Sequence, residues 1–301
     1  MRETIDFVKL SGSGNDFLCL DSRGGEFDDL LAQPAALSRF ARTLCQHGMG
    51  VGADGLIFAT ACEAEGMADA GARFLEPDGA ESDLCGNGTA CFVRWGLDSG
   101  WVANGELRIL TAAGVVRGKR MGDHYVRVCI PLPEEMREDF ELSTGSQRWT
   151  CDYCLTGVPH LITYVPDVSA VDVARWGPLL RHHPEFGGKS ICANFVQVLK
   201  EGEIALRTFE YGVEGETLAC GTGSAAAAIM VARRCGWPSE YLTGDKPVQV
   251  HARSGDILRV YFAFEGPRVT DLCLETVVRF LFRGTLHADL VARALGAAED
   301  A

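Results

Sequence analysis

Two short stretches read alike, Cys85-Gly86-Asn87-Gly88-Thr89-Ala90 and Cys220-Gly221-Thr222-Gly223-Ser224-Ala225. Each sets a cysteine before a Gly-x-Gly turn and then a run of helix-forming residues. Glycine lets backbone amides approach a neighbour closely. A helix start carries unpaired N–H groups and the positive end of the helix dipole. One such stretch means little. Two in matched context predict a pair of half-sites, each presenting a thiol at a helix N-terminus, in two similar halves of the chain.

Working outward, the first half begins with paired strands at Ile5, Phe7 and Phe17–Leu20, around the polar turn Ser11-Gly12-Ser13-Gly14-Asn15-Asp16. Pro34 opens a helix whose apolar face is Leu37, Phe40, Ala41 and Leu44, and Gly48 ends it. Strand-like runs follow at Leu56–Thr60, Leu107–Thr111, Val115–Lys119 and Tyr125–Ile130. The proline-flanked acidic stretch Pro131–Glu141 reads as an interlobe connection. The second half repeats the plan. Strands are expected near Trp149–Leu155, Leu161–Val165, Ile191–Leu199 and Ile204–Phe209, with a helix near Val171–Leu180. The second Cys-Gly-x-Gly run starts an alanine-rich helix through Ala225–Arg233, and strands Val248–His251, Ile257–Phe264 and Val269–Leu274 close the pattern. Thr285–Leu295 reads as a short amphipathic helix. Strands segregated around a helix in each half imply an α+β fold of two similar lobes, each a strand-rich, barrel-like sheet wrapped around a central helix. The expected divisions are 1–130 for the lobe carrying Cys85, joined by a late strand 268–276; 131–267 for the lobe carrying Cys220; and 277–301 for a C-terminal extension.

Composition narrows the function. The 301 residues are 47% hydrophobic and 23% charged, ordinary for a globular protein long enough for two lobes. No apolar run approaches the roughly 20 residues of a membrane span. No secretory signal is visible at the N-terminus, so a cytoplasmic location is expected. The net charge of -13 repels phosphate backbones and argues against nucleic acid as a partner. Among the 12 cysteines, Cys19, Cys129, Cys192 and Cys273 sit in apolar strand-like runs and read as small core residues. Cys151 and Cys154 form a CxxC, but no second one completes a zinc set and their surroundings read as a strand. No metal is expected, and a redox role for that pair stays open.

The chemistry of the cysteine pair follows from its placement. A helix N-terminus stabilises a thiolate and lowers its pKa. First-turn amides bind a carboxylate well, so two such starts facing one cavity could grip one α-carboxylate. The same grip would stabilise the negative charge that grows as an α-proton leaves. Inverting a stereocentre by proton transfer needs a base on one face and an acid on the other. One thiolate and one thiol satisfy that and exchange roles with direction. The chain's lysines are Lys9, Lys119, Lys189, Lys200 and Lys246, and none lies in a recognisable Schiff-base setting. No cofactor is expected.

At these residues the chain resembles the diaminopimelate epimerase family, from Phe7 to about Glu275. The shared motifs are Lys9-Leu10-Ser11-Gly12-Ser13-Gly14-Asn15-Asp16-Phe17, Gly50-Val51-Gly52-Ala53-Asp54-Gly55, Pro77-Asp78-Gly79 with Cys85-Gly86-Asn87-Gly88, Gly157-Val158-Pro159-His160, Asn194-Phe195-Val196-Gln197, and Glu210 with Gly215-Glu216-Thr217-Leu218-Ala219-Cys220-Gly221-Thr222-Gly223. The resemblance implies a cofactor-independent, two-lobed epimerase converting LL- to meso-diaminopimelate, a precursor of lysine and peptidoglycan. It implies Cys85 and Cys220 as the acid–base pair and His160 and Glu210 as residues that tune thiol ionisation, with Glu210 also holding the distal amino group. Asn15, Glu76, Gly86, Asn87, Asn194, Tyr211, Gly221 and Thr222 would line the substrate. A homodimer is possible.

Several positions depart from that pattern. Gly55 stands where several relatives place a glutamine, and Val158 where some place an asparagine. Glu76 stands where an asparagine usually grips the far end of diaminopimelate. Tyr211 stands where an arginine usually binds the distal carboxylate. Losing a cation and gaining a carboxylate favours a basic or neutral side chain there. Arg73 or Arg94 could replace the cation. Leu272 falls where many relatives carry a tyrosine at the dimer contact. A racemase of basic or broad amino acids such as histidine is therefore an alternative, and a non-catalytic amino-acid-binding protein is another.

Overall fold

The computed structural model describes residues 4–62, 66–189 and 191–296. The chain divides into two compact units, one made of the residues up to Val126 together with those from Val278 onward, the other of Arg127–Val277.

In the first unit, β1 (Ile5–Gly12) and β2 (Asn15–Ser22) form a hairpin with Gly12 opposite Asn15. Ser13 and Gly14 make its turn, both at positive φ (51° and 98°), as a two-residue type I′ connection requires. Helices α1 (Asp28–Leu31) and α2 (Pro34–Cys45) carry the chain to β3 (Gly55–Thr60), which runs parallel to β2. β4 (Ala70–Leu75) pairs antiparallel with β3, and β5 (Glu81–Ser82) is a stub on β4. Helix α3 (Gly86–Asp98) follows. Then come β6 (Glu106–Thr111), parallel to β4, its hairpin partner β7 (Gly114–Arg120), and β8 (Tyr125–Cys129).

The second unit repeats this order. It contains β9 (Glu135–Thr144), β10 (Gln147–Thr156), β11 (Val158–Tyr164), α4 (Val173–Arg181), β12 (Cys192–Lys200), β13 (Glu203–Glu210), β14 (Gly215–Thr217), α5 (Gly221–Arg234), α6 (Ser239–Leu242), β15 (Val248–His251) and β16 (Ile257–Glu265). The hairpin β10–β11, the parallel join β11–β12, the pair β12–β13, the stub β14, the parallel join β13–β15 and the hairpin β15–β16 match the first unit step for step.

One long strand, β17 (Arg268–Leu286), serves both units, and α7 (Ala288–Leu295) follows it. Its first part pairs with β16. From Val278 to Leu286 it pairs with β1. In the second unit β9 occupies the place beside β10. The end of β17 therefore supplies to the first unit the strand that β9 supplies to the second. With β17 beside both β8 and β1, the first unit's strands close into a barrel. The α+β expectation, with a sheet around a helix, holds.

Several boundaries differ from the sequence reading. Residues 277–286 are not part of an appended tail but a structural strand, because without them β1 would pair only with β2 and its other edge would stay open; residues 297–301 of the expected extension lie outside the described residues. The late strand does not stop at 276. Thr285 and Leu286 still belong to it, and the helix begins only at Ala288, where the His287 side chain accepts the Asp289 N–H at 3.3 Å. Most of the expected connection Pro131–Glu141, from Glu135 onward, is β9. Its exposed, charged side chains hide the strand, while its backbone pairs with β10. β4 was not expected, since nearly all of its residues are buried and no alternation shows.

The core of each unit explains why its helix sits where it does. Ala225–Ala228, at four successive positions of α5, are all fully buried. A helix covered on every side needs side chains this small, and strands β10, β11, β12, β13, β15 and β16 surround it. Its C-terminal end is fixed by Arg234, which meets Asp139 at 2.9 Å and the buried Asp152 at 3.2 Å. In the first unit α3 lies against β1, β2, β3, β6 and β7. A separate core under α2 stacks Phe27, Phe40 and Phe58, with Phe27 and Phe58 centroids 5.4 Å apart, and α7 adds Val291 and Ala294 to it. Among the described residues no helix is long and apolar enough to cross a membrane. Phe40 is fully buried at the centre of this cluster, so Phe40→Ala should cost about 3–5 kcal/mol. Urea denaturation should show this as a lower midpoint at unchanged slope.

Candidate active site

Both cysteines are helix N-caps of one geometry. Cys85 has extended backbone angles (φ −126°, ψ 118°), and its Sγ accepts the Gly88 N–H at 3.4 Å. Cys220 (φ −108°, ψ 113°) accepts the Gly223 N–H, also at 3.4 Å. The cysteine carbonyls start the helical ladders, from Thr89 N–H at 2.7 Å and Ser224 N–H at 2.9 Å. Gly86 and Asn87, and Gly221 and Thr222, hold the first helical positions, whose amides have no carbonyl within the helix to bond.

Around Cys85, Asn15 at the start of β2 brings its Oδ1 to 4.0 Å from the sulfur. The hairpin is pinned behind it. Lys9 is buried and pairs with Asp16 at 2.8 Å. Asp16 N–H donates to Asp54 Oδ2, and Asp54 N–H to Asp16 Oδ1, each at 3.0 Å. This lock joins the first two shared motifs. Lys9, Asp16 and Asp54 stand in those motifs but had no assigned role from sequence. Glu76 opens the tight turn after β4, where its carbonyl accepts the Gly79 N–H at 2.9 Å. Burial pushes its carboxyl pKa up, Asp78 and Asp54 add to this, and the Ser82 hydroxyl works against it. Neither arginine considered as a replacement cation is uncommitted. Arg73 binds Glu81 at 2.6 Å and the Leu31 carbonyl at 2.7 Å, while Arg94 binds Asp98 and the Asp123 carbonyl, both at 2.6 Å.

Around Cys220 the groups form a buried relay. Asn194 Nδ2 donates to the Leu161 carbonyl at 3.0 Å, which fixes the orientation of the amide, and Thr208 Oγ1 donates to Asn194 Oδ1 at 2.9 Å. Nδ2 also meets His160 Nδ1 at 3.2 Å, so Nδ1 is the acceptor and Nε2 carries the proton. His160 Nε2–H then donates to Thr222 Oγ1 at 3.0 Å, and that hydroxyl lies 3.7 Å from Cys220 Sγ. Burial pushes the His160 pKa down to about 3, so the ring is neutral. Asn194, one of the expected substrate residues, is fully buried, and its amide is hydrogen-bonded to the scaffold. The start of α5 rests on it, because a Cβ on Gly223 would come within 2.5 Å of Asn194 Oδ1.

Cys192, expected to be a plain core residue, is a neighbour of Cys220. Its thiol and burial push the Cys220 pKa well up, against the Gly223 N–H and the Thr222 hydroxyl. Cys192 Sγ also accepts the Tyr211 N–H at 3.4 Å. Only the strand register of β12 reveals this, since Cys192 carries no motif. Glu210 ends β13 half-buried. Tyr211 is 46% exposed, with the Arg181 guanidinium 4.7 Å from its ring centre and Arg181 paired to Glu214 at 2.7 Å. Cys151 and Cys154 are buried in β10, and burial pushes both up to about 12, which leaves them poor redox thiols.

Solved structures share this fold. A probable proline racemase from Agrobacterium radiobacter K84 superposes with a TM-score of 0.70 over 93% of this chain and 92% of its own, at 17% identity. A phenazine biosynthesis protein of the PhzF family from Bacillus anthracis gives 0.69 over 95% and 99%, at 16% identity. The sequence is more specific. The model of the diaminopimelate epimerase family matches residues 7–127 and 153–262. The diaminopimelate epimerase of Aquifex aeolicus (strain VF5) is 35% identical over 292 residues, 95% of this chain and 99% of that one. That of Methanothrix thermoacetophila is 36% identical over 282 residues, 88% and 94%. The protein is thus an isomerase of the epimerase kind. It belongs to the diaminopimelate epimerase family.

The neutral His160 has a pH consequence. The unfolded chain takes up a proton as pH falls below the ordinary value of 6.5, whereas the folded ring does so only near 3. Stability is therefore lost as pH falls through that window, by up to about 1.4 kcal/mol per pH unit from this residue. Urea titrations of the wild type and His160→Gln between pH 7 and 4 should show a shallower fall in the variant. Parallel curves would refute a neutral buried His160.

Proposed function

We propose that this protein is a diaminopimelate epimerase that inverts the α-carbon by two-base proton transfer, without a pyridoxal cofactor, with Cys85 and Cys220 as the proton carriers. The observation that carries the reading is the matched capping geometry of the two thiols. Each sulfur is oriented by the third amide of its helix, and in this reading the helix-start amides of Gly86, Asn87, Gly221 and Thr222 would bind the α-carboxylate. Cys192 and burial favour the protonated form of Cys220. Cys220 is accordingly the resting acid, and the thiolate that starts the reaction falls to Cys85. The proton removed at one face stays on Cys85, while Cys220 delivers its own to the other. The His160–Thr222 bond is a positioning contact that keeps the Thr222 hydroxyl at the second thiol. Glu210 and Asn15 belong to the substrate wall in this reading.

Glu76 favours a second reading. A half-buried carboxyl in place of an amide, with Tyr211 in place of an arginine, suits a basic side chain better than a distal carboxylate, as in a racemase of histidine or of basic amino acids. Substrate-dependent exchange decides between them. In heavy water, deuterium should enter Cα of diaminopimelate, and histidine, lysine and arginine should exchange far more slowly. The reverse ranking would establish the basic-substrate racemase instead, and ligand binding with no exchange in fully reduced protein would leave only a binding function. Cys85→Ala and Cys220→Ala should each lower exchange by about 10²–10⁴-fold. Glu76→Gln removes a carboxylate from the distal end, so KM for diaminopimelate should fall with kcat little changed. A rise in KM would mean that the Glu76 carboxyl itself binds substrate.

A further inference from the structure

Cys129 was expected in the core, yet it is exposed on β8, and its sulfur lies 2.6 Å from that of Cys273 on β17. The register explains the approach. The Ile130 N–H donates to the Leu272 carbonyl at 3.1 Å, and Arg127 Nε reaches Glu275 at 2.9 Å. One antiparallel register satisfies both and sets Cys129 directly opposite Cys273 at a site without backbone hydrogen bonds between the two residues. Such pairs bring Cα atoms to about 4.5 Å and their side chains closest together, within the span a disulfide bridges. Tyr261 on β16 lies opposite Cys273 on the other side. Cys273 is buried, as expected, while Cys129 beside it is reachable by solvent.

We propose that Cys129 and Cys273 are a redox-active pair that joins β8 to β17 by a reversible disulfide, independent of the catalytic thiols. With a peroxide as oxidant, the Cys129 thiolate attacks one oxygen. An S–O bond forms, the O–O bond breaks, and hydroxide leaves to take up a proton as water. Cys273 then attacks the Cys129 sulfur. The S–S bond forms, the S–O bond breaks, and the departing hydroxide takes the Cys273 proton as a second water. Two thiols lose two electrons and the peroxide gains them. The order follows from exposure, and from the Cys129 thiol, burial and Asp271 together holding Cys273 protonated. Asp271 Oδ1, 3.7 Å from Cys273 Sγ, also makes the three residues a possible metal cluster. A tetrahedral zinc with bonds near 2.3 Å would hold two thiolates roughly 3.7 Å apart, wider than they stand here, so the geometry favours the covalent bond. The link would close 127–277 near both of its ends.

The test is peptide mapping of the full-length protein. After hydrogen peroxide, free thiols are blocked with N-ethylmaleimide and the protein is digested without reductant. A cross-linked peptide pair joining Cys129 to Cys273 is expected, removed by dithiothreitol and absent from Cys273→Ser. The melting temperature should rise on oxidation and return on reduction in the wild type, and stay fixed in Cys129→Ser. Both variants should retain the wild type's Cα exchange rate, whichever amino acid proves to be the substrate. Both cysteines blocked by the maleimide after peroxide would overturn the proposal. So would zinc released by a chelator with no cross-linked peptide, which would assign a metal site instead.

Discussion

The bond from the third amide of a helix to a cysteine sulfur anchors both halves of this molecule. It makes each thiol a helix cap before it is anything else. A side chain at that position cannot wander, because its sulfur replaces the carbonyl that the Gly88 or Gly223 N–H would otherwise lack. The helix behind the sulfur is fixed in turn by the sheet around it. For α5 that fixation is visible at both ends, with Asn194 under its first turn and Asp152 holding Arg234 at its last. Replacing the alanines of its middle with larger side chains would push the cap, and the thiol with it, off position.

The two units show how little the environment of such a cap needs to be conserved within one chain. The first sulfur neighbours an asparagine amide oxygen, with the Lys9–Asp16 pair and the Asp16–Asp54 backbone lock behind it. The second sits in a dry setting of hydroxyls, a neutral imidazole and a third thiol. Equivalent places in one topology thus differ in polarity. In the proposed reaction the two thiols hold different protonation states at the same moment, and that inequality would serve it.

Much of this was legible in the sequence. The paired Cys-Gly-x-Gly runs announced the repeat, and helix α2 announced its buried face through Leu37, Phe40, Ala41 and Leu44, all of which are buried. What stayed hidden had physical causes. β9 alternates Met136, Phe140 and Leu142 with exposed polar residues, but Glu138 interrupts the pattern and the dense charge hid the strand although its backbone pairs with β10. Cys129 looked apolar because its neighbours Val126 and Val128 face the core, while Cys129 points the other way. Cys192 and Asn194 are read by register alone. Cys192 comes next to Cys220, and Asn194 turns inward to His160, through pairings between strands far apart in sequence. Glu76 was legible as a residue, but the burial that raises its pKa belongs to the fold.

The course of β17 has a consequence for synthesis. The second unit contains every strand it needs by Val277, whereas β1 pairs with β2 but waits for its second neighbour, which leaves the ribosome more than 260 residues after it. The later half can reach its native state while the earlier half still has an open sheet edge, and open edges invite pairing with other chains. The charged residues Arg279 and Arg283 near the end of β17, both exposed, lie beside the apolar Phe280, Leu281 and Phe282 and act as gatekeepers against aggregation for the strand that closes this edge last.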